Sequence, residues 1–426
     1  MASAVLLDLS PLRDDRTFRN LFVARTILLS GVGVVLVTVP LEVYARTGST
    51  LAVSAVAAVE SVAFLVGFLG GGVLADRVDR WRLVIVSWLV SGLAFAALAG
   101  NAVWVSSTVL TAVFVAINGL SGAVCLTAML AVMPSIVDRA KLHAVGALNT
   151  VSLRLGSVLA PAVGGLVFAV SSAAWNYGAG AVAALLTWVL LLASPPPGTG
   201  GRTGTPAPAE AAEPAEQESP LRALRTGARF VAREPVVRGV MVAGLVGMLG
   251  GGSVVLVPAF VDARFGGSPV AVGLIYSALS VGLVAGSLGS GWVRDRTRPG
   301  LLLLGLMVAC FGCYTAAGAA PTLLLVLAAF VAAGATNALE EVLRYTLLQL
   351  RSPDALLGRV NSLFSAQGMA GAAVGAVVAG IAGALVGAAD ALWIYNAVMA
   401  GVAVLTAVLL GPLRGATRES IEGERT

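Results

Sequence analysis

Apolar residues in this chain come in long, nearly unbroken runs that recur from end to end, separated by short clusters of charge, glycine and proline. Crossing the hydrocarbon core of a bilayer takes about 20 mostly apolar residues as a helix. A helix satisfies its own backbone hydrogen bonds there. The runs that qualify lie near Asn20–Val39, Leu51–Leu74, Leu83–Gly100, Val105–Met133, Val145–Val170, Trp175–Ala193, Val236–Phe260, Val270–Trp292, Leu301–Ala319, Thr322–Leu350, Val360–Ala388 and Ala391–Leu410. The predicted fold is therefore all-α and integral to a membrane, with about twelve transmembrane helices.

The polar interruptions organise these runs. Residues 194–220 are rich in Pro, Gly, Ala and Glu, cannot bury a core, and divide the chain into six spans and six. The domains expected are a bundle over 1–193, a linker with a basic stretch over 194–235, a second bundle over 236–411 and a tail over 412–426. Within the linker, Leu221, Leu224 and Phe230 are interspersed with Arg222, Arg225, Arg229 and Arg233, which suits either a helix along the membrane surface or a solvated lead-in to the seventh span. Repetition supports the division. Gly72-Val-Leu-Ala-Asp76-Arg77 after the second span is echoed by Gly291-Trp-Val-Arg-Asp295-Arg296 after the eighth, and Asp138 to Leu142 before the fifth by Pro353 to Leu357 before the eleventh. Two repeated six-helix bundles around a central polar path are the build of many secondary transporters.

Composition agrees and narrows the function classes. Only 12% of residues are charged, against about 25% in soluble domains. Three cysteines cannot staple the chain, no Cys/His cluster suits a metal, and no Gly-x-x-x-x-Gly-Lys-Ser loop for ATP occurs, so no metal, cofactor or enzymatic activity is expected. The net charge of +5 follows from topology without a nucleic-acid partner. Arg13 to Arg19, Arg77 to Arg82, Arg139, Arg222 to Arg238, Arg294 to Arg298, Arg351, Arg359 and Arg414 to Arg425 fall on one side of the spans, while Arg46 and Arg264 fall on the other. Positive charge is retained inside, so both termini are expected in the cytoplasm, in a multi-pass protein of the inner (cytoplasmic) membrane. The first run is glycine-interrupted and lacks a small-residue cleavage site, so no cleaved signal is expected.

Charges inside spans cost about 2.5–3.5 kcal/mol on insertion scales unless paired or wetted, which makes each one a candidate. Glu60, near the middle of the second span and far in sequence from any other charge, is the leading candidate for a proton carrier, the alternative being a static partner for Arg25 or Arg154. Arg154 in the fifth span and Arg25 in the first are candidate cavity cations, with structural pairing or snorkelling as the competing readings. Glu340 and Glu341 precede Arg344 by four and three residues, so the trio either neutralises itself or takes part in proton coupling. Asn361 and Gln367 are polar groups on the eleventh span, Gln367 the deeper. Asp76 with Arg77, and Asp295 with Arg296, are candidate gate residues, because a carboxylate there can reach the N-terminus of another helix. Gly156, Pro161, Gly164 and Gly165 thin the fifth helix for close approach and a bend.

Several stretches carry a family resemblance: Phe18 to Arg25, Gly71 to Arg77, Arg154 to Gly165, Ala174-Trp-Asn-Tyr-Gly178, Arg298-Pro-Gly-Leu301, and Leu357-Gly-Arg-Val-Asn361 with Ala366-Gln367. On these the chain resembles the major facilitator superfamily and, within it, the enterobactin exporters and their actinobacterial relatives. Ala160 departs from the glycine usual before Pro161, and the Glu340, Glu341, Arg344 cluster departs as well. The resemblance implies a major facilitator fold and proton-driven export of a siderophore, catecholate in type, by a monomer whose partners are a small molecule, protons and the bilayer. It also implies that the Pro161 region guards against leakage. Multidrug or macrolide-type efflux on the same fold, and a non-transporting scaffold or sensor, are the alternatives.

Overall fold

A computed structural model describes residues 36–136, 142–193 and 220–417, which are helical almost throughout. The first predicted span lies outside the described residues up to position 35. From 36 to 47 the chain is helix, here α1, which runs on well past the predicted end at Val39. Five more helices complete the first six: α2 (Thr50–Arg77), α3 (Arg80–Gly100, extended by a π-turn over Asn101–Val105), α4 (Thr108–Ile136), α5 (Leu142–Val170) and α6 (Ala173–Leu192). Short polar caps set their limits. Gly48 takes φ +61°, which glycine accepts at no steric cost, and the Ser49 side chain then accepts from the Ala52 N–H at 3.3 Å. Asp79 caps α3 by accepting from the Arg82 N–H at 2.8 Å, while Arg80 Nε donates to the Ala75 carbonyl at the end of α2, 3.3 Å away.

The basic stretch of the linker forms α7 (Pro220–Arg233). Gly227 lets it sit against the eleventh span, where an added Cβ would lie 3.1 Å from Arg359 Cβ. The seventh span departs from the single helix predicted. It is broken into α8 (Pro235–Leu249), α9 (Gly252–Val255) and α10 (Val257–Phe265), with the breaks at Gly250–Gly251 and Leu256. Consecutive glycines there supply no side chain to hold the helix straight. The remaining spans are α11 (Pro269–Leu288, continued by a 3-10 turn over Gly289–Asp295), α12 (Pro299–Ala319), α13 (Leu323–Arg351), α14 (Asp354–Val386) and α15 (Ala388–Leu409).

Among the described residues ten helices are long and apolar enough to cross a membrane. Their outward face differs from that of a soluble protein, although large side chains such as Phe95, Phe260 and Phe311 are fully buried. Large apolar side chains such as Val66, Leu69, Val109, Leu324 and Leu385 are exposed, while glycine and alanine fill the contacts between helices. In water such a surface would aggregate; hydrocarbon solvates it.

By contact density the chain forms two compact units, residues 1–202 with 261–277 and residues 203–260 with 278–426. Each has the same internal plan. In the first, α3 packs against α4 and α6; in the second, α12 packs against α13 and α15. Glycines permit the equivalent crossings in both. A Cβ at Gly67 would lie 2.5 Å from the Leu120 carbonyl oxygen on α4, and one at Gly282 only 2.0 Å from that of Val331 on α13.

Candidate functional site

Glu60 lies on α2, and Gly119 of α4 makes room for it, since a Cβ there would meet the Glu60 carbonyl at 3.0 Å and its Cγ at 3.5 Å. Among the described residues no ion pair or hydrogen bond neutralises Glu60, although Tyr177 of α6 lies within its electrostatic reach. Arg25 lies outside the described residues. Arg154 falls within α5, and its side chain lies outside what is described, so Glu60 is not matched to either arginine.

A second acid of this unit escaped the sequence reading. Glu42, in the final turns of α1, is only 8% exposed and is held on both oxygens. Arg46 Nη2 donates to Oε1 at 2.5 Å, and the Tyr177 hydroxyl donates to Oε2 at 2.6 Å. The neighbouring Asn176 donates from Nδ2 to Thr38 Oγ1 at 2.8 Å and to the Gly164 carbonyl at 2.9 Å, tying α6 to both α1 and α5. Arg46 also reaches Thr111 Oγ1 at 3.5 Å, and Asn101 donates to the same hydroxyl at 2.9 Å. A cavity of about 390 Å³ opens beside this network, lined by Glu42, Arg46, Ala102, Val103, Phe168 and Ser172. The signals present in sequence were the i,i+4 spacing of Glu42 and Arg46 and the polar pair Asn176-Tyr177 inside an apolar span.

The fifth-helix glycines form a backbone crossing. A Cβ at Gly165 would sit 2.5 Å from the Pro269 carbonyl oxygen, and one at Gly273 would sit 2.6 Å from that of Pro161. No residue with a side chain fits at either position without separating α5 from α11. Pro161 lies inside α5, Gly156 is buried, and Gly164 supplies the carbonyl that Asn176 grips.

The second unit gathers a different set. Glu340 and Arg344 of α13 are 3% and 4% exposed and face each other at 3.4 Å across one helical turn. Glu341 is exposed. The pair lies under two glycines of α8: a Cβ at Gly244 would fall 2.4 Å from Arg344 Nη1, and one at Gly247 would fall 2.6 Å from Glu340 Oε1. Arg344 also stacks on Phe364 at 5.3 Å, and Gln367 of α14 donates to the Met241 carbonyl of α8. Glu340 Oε1, Arg344 Nε and Gln367 Oε1 make no hydrogen bond among the described residues, nor does Asn361 Oδ1. Structure thus brings Glu340, Arg344 and Gln367 to one place beneath the broken helix, with Glu341 outside it.

Of the gate candidates, Asp76 and Arg77 end α2 and Asp295 ends the 3-10 turn after α11; the side chains of Asp76 and Asp295 lie outside the described set. Arg77 is exposed, and Arg296 stacks on Trp292 of its own turn at 4.8 Å.

Comparison with known proteins gives this geometry its context. The profile of transmembrane secretion effectors matches residues 7–422. The chain belongs to that family. Among its relatives, the enterobactin exporter EntS of Escherichia coli O1:K1 / APEC is 34% identical over 381 residues, which cover 89% of the chain and 88% of the relative. EntS of Citrobacter koseri is 33% identical over 410 residues, covering 96% and 95%. The fold resembles that of the nucleoside transporter NupG, with a TM-score of 0.73 at 13% identity over 94% of this chain and all of that one. It also resembles a bacterial homologue of the iron transporter ferroportin, with a TM-score of 0.68 at 16% identity, covering 94% and 99%. The chain therefore has the major facilitator fold and is a multi-pass membrane transporter of small molecules, not an enzyme.

Proposed function

We propose that this protein exports a siderophore, catecholate in type, from the cytoplasm across the inner membrane in exchange for protons, by alternating access of its two halves. The observation that carries the reading is the likeness to enterobactin exporters along about nine-tenths of both chains. In this reading the arginine-rich ends of the spans, with both termini, face the cytoplasm. The two halves are the bundles over 1–193 and 236–411, joined by the linker over 194–235 and followed by a cytoplasmic tail over 412–426. The protein works as a monomer.

Glu60 is the proton carrier, supported by its position on an apolar span without a neutralising contact among the described residues. The Glu340 and Arg344 pair is the coupling group of the second half, with Glu341 at its margin. Arg25, Arg154, Asn361 and Gln367 supply the substrate's polar contacts. Asp76, Arg77, Asp295 and Arg296 close the cytoplasmic side, and the crossing built on Gly156, Pro161, Gly164 and Gly165 limits leakage. One proton moving down 100 mV and one pH unit releases about 2.3 and about 1.4 kcal/mol, enough to hold a neutral substrate at roughly a few-hundred-fold gradient.

Untargeted comparison of culture media and cell extracts with and without the protein tests the reading. Deletion is expected to lower the siderophore in the medium and raise it inside the cells. Unchanged siderophore together with a new sensitivity to antibiotics would transfer the assignment to drug efflux.

A further inference from the structure

Both halves use the same pair of residues to hold their first helix, and the pairs differ in one respect. In the second unit Tyr395 donates to the Leu249 carbonyl at 2.5 Å, and Asn396 accepts from Ser253 Oγ at 2.8 Å; among the described residues no acid takes part. In the first unit Asn176 holds Thr38, while the Tyr177 hydroxyl lands on the Glu42 carboxylate. An Asn and Tyr pair therefore clamps a first helix without a carboxylate. Glu42 adds something other than the clamp itself.

Its surroundings show what. The side chain is more than nine-tenths buried, yet it lines the cavity of about 390 Å³, which has room for several waters. Its partners both require acceptor oxygens. A proton added at Oε1 displaces Arg46 Nη2, leaving that arginine with the 3.5 Å contact to Thr111. The groups facing Glu42 are Arg46 on its own helix and Tyr177 on α6. The nearby polar groups of the π-turn and α4, Asn101 and Thr111, carry no charge, and Tyr44 with Asp262 lies within electrostatic reach in the same unit. Arg46 is the cation paired with Glu42 among the described residues, and neutralising the carboxylate releases that pair. Tyr177 is wholly buried and feels the charges of both Glu42, which it touches, and Glu60.

We propose that Glu42 is a second proton-exchanging group of the transport cycle, which takes up protons from the external side through the cavity it lines and signals its charge to α1 and α6 through Arg46 and Tyr177. This rests on the reading of the chain as a proton-driven exporter with the Arg46 end outside. When Glu42 is ionised, α1 is locked to α6; when it is protonated, the lock keeps only the neutral Asn176 and Tyr177 contacts.

Two measurements on purified protein in lipid test this. Infrared difference spectra between acid and neutral pH need no substrate: the wild type is expected to show a carboxyl band that Glu42→Gln removes and Tyr177→Phe displaces. An unchanged spectrum in Glu42→Gln overturns the proposal. In proteoliposomes carrying enterobactin, Glu42→Gln is expected to lower the ratio of pH-driven accumulation to substrate counterflow about tenfold or more, and Glu42→Asp to restore part of it. A ratio equal to wild type, or equal loss of both modes in Glu42→Gln and Glu42→Asp, makes Glu42 a structural brace and overturns the proposal. If the wild type moves neither enterobactin nor other catecholate siderophores in either mode, the exporter reading fails, and the infrared result still decides whether Glu42 exchanges protons.

Discussion

The two units handle buried charge in opposite ways. In the first, the Glu42 and Arg46 pair stands at the edge of a cavity, with Arg46 one-fifth exposed, and a tyrosine hydroxyl completes the carboxylate's shell. In the second, Glu340 and Arg344 are sealed under a glycine-faced broken helix, with polar atoms left unbonded among the described residues. The first arrangement borders the cavity through which the proposed proton exchange would take place. The second must move α8 before either charge meets solvent, because two glycines of that helix rest on the pair. The second unit thus places its buried pair beside the turn at Gly250–Gly251 that separates α8 from α9, and the first places Glu42 beside a cavity.

The sharpest way to separate these behaviours is to remove one partner of each pair. Glu340→Ala strands a buried guanidinium and is expected to cost about 3–5 kcal/mol of unfolding stability, measured in detergent. Glu42→Ala leaves an arginine that can turn toward the cavity, so it should cost clearly less. An equal loss in the two variants would erase the distinction. Next in size, Tyr177→Phe removes a hydrogen bond to a charged acceptor and should cost about 1.5–3 kcal/mol at neutral pH. The sign of its pH dependence follows from the charge: the contribution is present where Glu42 is ionised and fades as pH falls through its titration. Tyr395→Phe removes a bond to a neutral carbonyl and should cost about 1 kcal/mol with no such pH dependence. Thermal unfolding of both variants across a pH series reads the contrast. The smallest effect belongs to Gly70→Ala, where a Cβ meets open space; a gain of about 0.5 kcal/mol is expected from helix propensity alone.

Much of this architecture is written in the hydropathy of the chain, because a bilayer demands long apolar helices and little else satisfies it. Ten of the predicted runs appear as such helices among the described residues, and the i,i+4 spacing of Glu340 and Arg344 announced their pairing. The broken seventh span was hidden, since glycine leaves an apolar run unbroken in composition while removing what keeps a helix straight. Glu42 was hidden for a related reason. Hydropathy falls after Val39, so the acid reads as the start of a connection, although the helix continues to position 47 and buries it. Asp79, in the short polar stretch between the second and third runs, is the cap of α3. Contacts made by side chains across helices, such as Gln367 to Met241, leave no periodic trace in sequence.

The central claim, proton-driven export of a catecholate siderophore, is tested most directly by flux in proteoliposomes holding the purified protein and enterobactin. With a pH gradient imposed, enterobactin is expected to move uphill against the inward flow of protons, with a matching pH change in the lumen that collapses when an ionophore abolishes the gradient. Enterobactin flux that ignores the gradient, or the absence of any flux, would contradict the account.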